Sequence, residues 1–367
     1  MQETTHPATL EHCTGCNICK DSCQLLRESD CTPAELVRQG VTLSDALSCS
    51  FCGACQSACP LGLWPGELFA NKRCEAVSSG EFDVQPFRYL FPDRPNNVMA
   101  MYRKQYGIEY ADLAPTATTG TCFFPGCTLM SYSPALTQAV FERLKEQTPC
   151  QAIWTDCCGK LLEQLGLQER LQQAQEQLIS YAREHAITRI ITACPGCYYD
   201  LKKLLQPVGI CVESVYDILD FKSVDTACGA SCTVHDSCPD RFTGQLGRQV
   251  REALQQQGYT LIEMPHSGRN TICCGSGGQL SHFRPDLVEE LTALRHTEFM
   301  QTGATYLVAY CLSCVLKYDS MLAGLPVTHA LSLLLDLPAD YAGAKERSLG
   351  MFEGPEGEQR WAAVMAD

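Results

Sequence analysis

The hydrophobic pattern changes character about a third of the way along the chain. Beyond residue 118, short apolar runs alternate with longer stretches in which apolar positions recur every three or four residues. Thr121 to Pro125 predicts a buried strand, and Pro134 to Lys145 a helix with Leu136, Val140, Phe141 and Leu144 on one face. Ala152-Ile153-Trp154 predicts a second strand, Leu167 to His185 a long amphipathic helix, and Arg189 to Thr192 a third strand. Val212 and a helix near Ser214 to Phe221 close the unit. The same order then returns. Cys232 to His235, Tyr259 to Glu263 and Thr305 to Tyr310 predict strands, with helices over Gly244 to Gln257 and Asp286 to Gln301. Strands alternating with helices of this length imply parallel α/β units. Ligands of such sheets gather outside the carboxyl ends of the strands.

The first third has no strand-like alternation. Thr32-Pro33-Ala34-Glu35 predicts a capping box with proline at the first helical position, and Gly40 a helix stop. Ser44-Asp45-Ala46-Leu47 can open another helix. The expected organisation is an α-helical unit over residues 1–85 and a linker over 86–118, where prolines cluster. Two tandem α/β parallel-sheet units follow over 119–224 and 225–340, and then a polar tail with one short helix over 341–367.

Composition changes this picture through one residue type. Of 367 residues, 25 are cysteine. A disulfide framework would suit a small secreted protein, but these cysteines are odd in number and cluster at x2 and x3 spacing. The start, Met1 to His6, shows no charged segment followed by an apolar one. No apolar run reaches the ~18 residues of a membrane span; Ala330 to Leu337 is short and broken by Asp336. A formal charge of −14 disfavours nucleic acid and anionic membrane surfaces. A reducing, cytoplasmic compartment is expected, and docking on the cytoplasmic face of a membrane partner is compatible with it.

The helical third carries Cys13-x2-Cys16-x2-Cys19-x3-Cys23 and Cys49-x2-Cys52-x2-Cys55-x3-Cys59-Pro60. This is two-cluster ferredoxin spacing, in which the fourth cysteine of each run ligates the other cluster. One 4Fe-4S cubane would take Cys13, Cys16, Cys19 and Cys59; the other would take Cys49, Cys52, Cys55 and Cys23. Structural zinc, bound by paired C-x2-C, fits two runs of four poorly. The unit therefore reads as a helical ferredoxin.

The α/β units carry a five-cysteine constellation twice: Cys127, Cys157-Cys158-Gly159 and Cys194-Pro195-Gly196-Cys197; then Cys238, Cys273-Cys274-Gly275 and Cys311-Leu312-Ser313-Cys314. All ten fall at strand-to-helix junctions or adjoining loops. Vicinal cysteines are awkward ligands for one metal ion but suit a multi-iron cluster, and the following glycine lets the backbone approach closely. Five thiolates exceed the needs of a cubane or a structural zinc. His235 could donate a hydrogen bond to a thiolate or protonate a product thiol, although a core role is the plainer expectation. Asp156 reads as a turn cap. Lys160 could offset cluster charge or be a solvated helix residue. Cys31, Cys74, Cys122, Cys150, Cys211, Cys228 and Cys232 fall outside the motifs, and packing explains most of them.

The paired motif resembles the cysteine-rich domains of heterodisulfide reductases. The helical unit ahead of it resembles the small subunit of the same enzymes, so the resemblance runs from residue 13 to about 335. It implies that each set of five cysteines holds a noncubane 4Fe-4S cluster, with zinc the alternative at the second motif. It also implies catalysis at those ten cysteines. Electrons would pass from a flavoprotein or other redox subunit, through the two cubanes, to clusters that reduce a disulfide or oxidise thiols. The plan is similar, too, to the iron–sulfur subunits of glycolate, lactate and anaerobic glycerol-3-phosphate dehydrogenases. That likeness implies an electron-transfer subunit delivering toward a membrane quinone or cytochrome partner.

Overall fold

The computed structural model describes residues 7–29, 31–221, 229–322 and 324–366. Two four-stranded parallel sheets form its centre. The first comprises β1 (Thr121–Phe124), β2 (Ala152–Ile153), β3 (Arg189–Thr192) and β4 (Cys211–Ser214), in the order β2-β1-β3-β4. The second comprises β5 (Ser231–His235), β6 (Thr260–Leu261), β7 (Tyr306–Ala309) and β8 (Val327–His329), in the order β6-β5-β7-β8. The order reverses between β1 and β3, and again between β5 and β7. In a doubly wound sheet that reversal opens a crevice at the carboxyl ends of those strands. Every residue of β1 is buried, as expected of a strand covered on both faces.

The registers superimpose the copies. Phe124 pairs with Thr192, two residues before Cys194. His235 pairs with Ala309, two residues before Cys311. Residues of both sheets share one continuous core. Across the interface, the Tyr199 hydroxyl donates to the Asp240 carboxylate and the Tyr198 hydroxyl to Gln245 at 3.3 Å.

Among the described residues, those before 119 form helices and no strand. Thr32 and Glu35 close the expected capping box around the helix Pro33–Gln39. The next helix, Leu43–Leu47, starts earlier than expected, because Thr42 and Asp45 form its box. The 86–118 connection is more ordered than a linker, with a helix over Val98–Gln105. The end of the chain also differs from the expected tail with one short helix. Two helices form, Ala344–Gly350 and Gly354–Met365. They pack on that connection: Trp361 lies 5.0 Å from the Tyr89 ring, Arg94 donates to the Val364 carbonyl at 2.8 Å, and Arg347 donates to the Tyr102 hydroxyl at 3.1 Å. The apolar residues involved are too widely spaced along the chain to form a periodic pattern.

One residue ties the three parts together. Arg73, on the helix Gly66–Ser79, is fully buried. Its guanidinium donates to the carbonyls of Ala46, Leu47 and Cys49 in the N-terminal unit, Gln164 in the first α/β unit and Gly278 in the second. It lies over the Phe51 ring at 4.6 Å. A planar group with five donors in a fixed fork suits such a junction, and lysine could not replace it.

Candidate functional site

The cysteines gather into four sets. The first lies near the surface: Cys13, Cys16, Cys19 and Cys59 line a cavity of about 180 Å³ with Pro33, Leu61 and Leu63. Burial and the charges of Cys13, Cys59 and Cys16 push the Cys19 thiol up. Cys16 is exposed. The second set is deeper. Cys23, from the first run, stands beside Cys52, and burial pushes its thiol up to about 12. Cys49 and Cys55 interact with Cys23 and Cys52. Cys59 thus lies with the cysteines of the first run, and Cys23 with those of the second.

The third set hangs on the first sheet. Cys127 follows β1, Cys157 and Cys158 follow β2, and Cys194 and Cys197 follow β3. The Cys157 Sγ lies 3.8 Å from Cys127 Sγ. Cys158 accepts from Cys157 and Cys197, which holds it well below an ordinary thiol. Gly126 is required here: it has φ +91°, and a Cβ would lie 2.7 Å from Cys194 Cβ. Around this set, Lys160 pairs with Glu163 at 2.9 Å and Asp200 at 3.1 Å. Burial pushes the Asp200 carboxyl up to about 7, although Lys160 opposes the shift. Asp156 accepts from the Trp154 indole at 2.7 Å, fixing the turn before the vicinal pair.

The fourth set hangs on the second sheet in the same way. Cys274 Sγ lies 3.1 Å from Cys314 Sγ. Cys273 contacts Cys238 and Cys274, and contact with Cys273 and Cys314 holds Cys274 well below its ordinary value. In both copies, then, the second cysteine of the vicinal pair lies against its vicinal neighbour and the last cysteine of the motif. Cys311 is lowered to about 6 by its contact with Cys314 and by backbone N–H groups where the next helix begins. His235 is buried with Nε2 unpartnered among the described residues, and it lies within 4.8 Å of Cys274 and Cys314.

The second and fourth sets meet. Cys52 is in side-chain contact with Cys273. Above them lies Arg241, also buried, donating to the carbonyls of Cys52 at 2.8 Å, Arg269 at 2.6 Å and Thr271 at 2.7 Å. The backbone is pressed close as well. A Cβ on Gly278 would overlap the Cys49 carbonyl oxygen and lie 2.8 Å from Ser50 Cα. The third and fourth sets face each other more loosely, through Thr128 and Ser313 hydroxyls 3.3 Å apart.

The buried cations test what these thiols could hold. The carbonyls that accept from Arg73 and Arg241 are neutral, and the Arg103 guanidinium beside Cys127 donates to the Ser131 hydroxyl. Buried cations need nearby negative charge; the ionisable groups facing Arg73 and Arg241 are cysteine sulfurs, and the half-buried Arg103 faces Cys127 together with Tyr110 and Tyr132. Sulfur-rich, anionic groups held by thiolates fit that demand.

All 24 described cysteines are free thiols. Cys122, Cys150 and Cys232 are buried and pack in the sheets, Cys31 and Cys74 are half-buried, Cys211 is exposed, and none joins a set. Cys228 lies outside the described residues. Sequence reasoning missed Arg73 and Arg241, whose carbonyl partners leave no side-chain signature. The Gly277-Gly278 pair after the second CCG was a readable signal: glycine there marks close backbone approach.

The cysteine-rich domain family designated CCG matches residues 121–202 and 232–318. Both segments are CCG cysteine-rich domains. The chain is 24% identical over 305 residues to a subunit of the dihydromethanophenazine:CoB–CoM heterodisulfide reductase of Methanosarcina acetivorans, covering 74% of this chain and 71% of that protein. It is 25% identical over 350 residues to a subunit of the fumarate reductase (CoM/CoB) of Methanothermobacter marburgensis, covering 85% and 68%. It is 22% identical over 184 residues to lactate utilization protein A of Macrococcus caseolyticus, covering 45% and 73%. No helix among the described residues is long and apolar enough to cross a membrane.

Proposed function

We propose that this chain is an iron–sulfur electron-transfer subunit of an oxidoreductase, and that its two CCG sites exchange electrons with a disulfide or with thiols. The observation that carries this reading is the contact between Cys52 and Cys273. It puts the deeper N-terminal set beside the second CCG set. In this reading, residues 13–59 form a ferredoxin-type unit holding two 4Fe-4S cubanes, on Cys13, Cys16, Cys19 and Cys59 and on Cys23, Cys49, Cys52 and Cys55. The ten CCG cysteines hold noncubane clusters. Such groups, when bound, supply one-electron steps.

The residues themselves set the direction. The exposed Cys16 and the apolar rim of Leu61 and Ile18 turn the first set toward a redox partner such as a flavoprotein. Arg241 and Arg73 neutralise charge where the sets converge. The CCG sites face each other across Thr128 and Ser313, which suits a two-electron substrate whose two sulfurs each need one electron. The relatives among heterodisulfide and fumarate reductases are themselves subunits, which supports a redox partner subunit here.

A second reading draws on the similarity to lactate utilization protein A. There the chain would serve a flavin-dependent 2-hydroxyacid or glycerol-3-phosphate dehydrogenase and deliver electrons toward quinone. One experiment separates the two: iron, sulfide and zinc analysis of anaerobically purified protein, with electron paramagnetic resonance before and after adding thiols or disulfides. About sixteen irons, four per cluster, and a new signal on thiol addition support the first reading. The same iron with no thiol response supports the second. About eight irons with two zincs sink the disulfide chemistry.

A further inference from the structure

The two CCG domains are not equivalent, and the difference lies three residues before the first cysteine of each. Phe124 and His235 occupy the same register position, at the carboxyl ends of β1 and β5. Phe124 packs edge-on to Trp154 at 5.5 Å, as an ordinary core residue. His235 is as deeply buried but polar. Its Nδ1 is 3.4 Å from the Tyr318 hydroxyl, whose ring meets the imidazole edge-on at 5.1 Å. Its Nε2 has no partner among the described residues, and a ring nitrogen of His235 lies within 4.8 Å of the sulfurs of Cys274 and Cys314.

A buried nitrogen without a partner is costly, so its neighbours decide what it does. Thiolate sulfur only accepts hydrogen bonds. A lone pair turned toward the two sulfurs would be repelled, whereas an N–H would be attracted. With the proton on Nε2, Nδ1 becomes the acceptor for the Tyr318 hydroxyl, and both ends of the ring are satisfied at once.

We infer that His235 is a positioning residue of the second CCG site: its Nε2–H donates to the sulfur of Cys274 or Cys314, and this contact, absent from the first site, makes the second site the more easily reduced. The inference rests on the reading that the second site holds an iron–sulfur group. A hydrogen bond to a cluster sulfur draws charge from it and stabilises the reduced, more negative state. With the proton held on Nε2 by the sulfurs, the Tyr318 hydroxyl donates to Nδ1. The more easily reduced site is also the one that touches Cys52, so it is the first of the two that arriving electrons meet.

The test uses the full chain, purified anaerobically, as wild type, His235→Phe and His235→Gln. The first variant copies Phe124; the second keeps an N–H donor. Iron and sulfide are counted, each site's midpoint potential is read by redox titration with electron paramagnetic resonance, and 14N coupling is measured by pulsed methods. The expected result is a lower second-site potential in His235→Phe with the iron retained, an intermediate value in His235→Gln, and an unmoved first site. An unchanged second-site potential in a fully loaded His235→Phe overturns the inference, as does the strong 14N coupling of an iron-bound imidazole in the wild type. If His235→Phe loses its iron, the His235→Gln potential decides. Zinc in place of iron at the second site of the wild type overturns the underlying reading, an outcome the metal count distinguishes from the others.

Discussion

The two CCG domains are built on one plan yet sit differently in the molecule. In each, three strands of a parallel sheet deliver five thiols to one crevice, and the second cysteine of the vicinal pair contacts both its vicinal neighbour and the last cysteine. The first domain follows its CCG with Lys160 and the start of a helix, and balances that lysine with Asp200. The second follows its CCG with Ser276, Gly277 and Gly278 and uses the space to dock on the N-terminal unit. A lysine that needs a local carboxylate keeps its site self-contained, whereas two glycines make the other site a junction. One scaffold thus gives a site set apart from the N-terminal unit and one docked on it, and the three residues after the motif make the difference.

The severest way to break this arrangement is Arg73→Met. It leaves five carbonyls without their donor, in a place water enters poorly. At about 1–3 kcal/mol for each group left unsatisfied, with partial relaxation, the loss comes to about 3–5 kcal/mol. Calorimetry should then resolve two transitions where the wild type shows one, because the N-terminal unit no longer shares a hub with the sheets. A single transition at an unchanged temperature would show that Arg73 does not join the parts.

A matched pair of glycine variants sharpens the comparison. Gly159 and Gly278 both have positive φ, of +83° and +62°. Alanine at either position therefore pays about 1–2 kcal/mol of backbone strain. At Gly159 the new Cβ meets the end of the Leu171 side chain at 2.8 Å, which can turn away. At Gly278 it meets the Cys49 and Ser50 backbone, which cannot, adding about 1–3 kcal/mol of overpacking. Gly278→Ala should lower the melting temperature more than Gly159→Ala and slow reduction of the second site by a donor to the first set. Equal effects of the two variants on that rate would refute the connected-site assignment.

The parts of this molecule that depend on local order are legible in its sequence. Strand and helix alternation, the capping box at Thr32 and the spacing of 18 cysteines are all properties of short windows, and they locate the crevices without any geometry. Residues 344–365 read as mostly polar tail because their partners, Tyr89, Arg94 and Tyr102, stand some 250 positions earlier. Arg73 and Arg241 escape for a related reason. A carbonyl acceptor belongs to every residue, so nothing in the sequence marks the ones they reach. His235 is visible as a candidate, but its free nitrogen and the sulfurs it faces require the fold. Spacing thus supplies the cysteine sets, and only the structure supplies their contacts with one another.

The smallest expected effect tests whether the first site is self-contained. Burial pushes the Asp200 carboxyl up to about 7, against about 3.9 for a free side chain. Between those values the folded protein keeps a proton that the unfolded chain has released. Stability therefore falls as pH rises from about 4 to 7 and levels off above that. Lys160 opposes the shift, and the pair is partly exposed, so the contribution stays near 1 kcal/mol or below. Asp200→Asn removes the titration. Urea unfolding across this pH window should show a flatter profile than the wild type, with the second site's potential untouched. If the variant instead shifted the second site, the two crevices would be electrostatically coupled through the Thr128–Ser313 contact, and the first site could no longer be regarded as independent of the second.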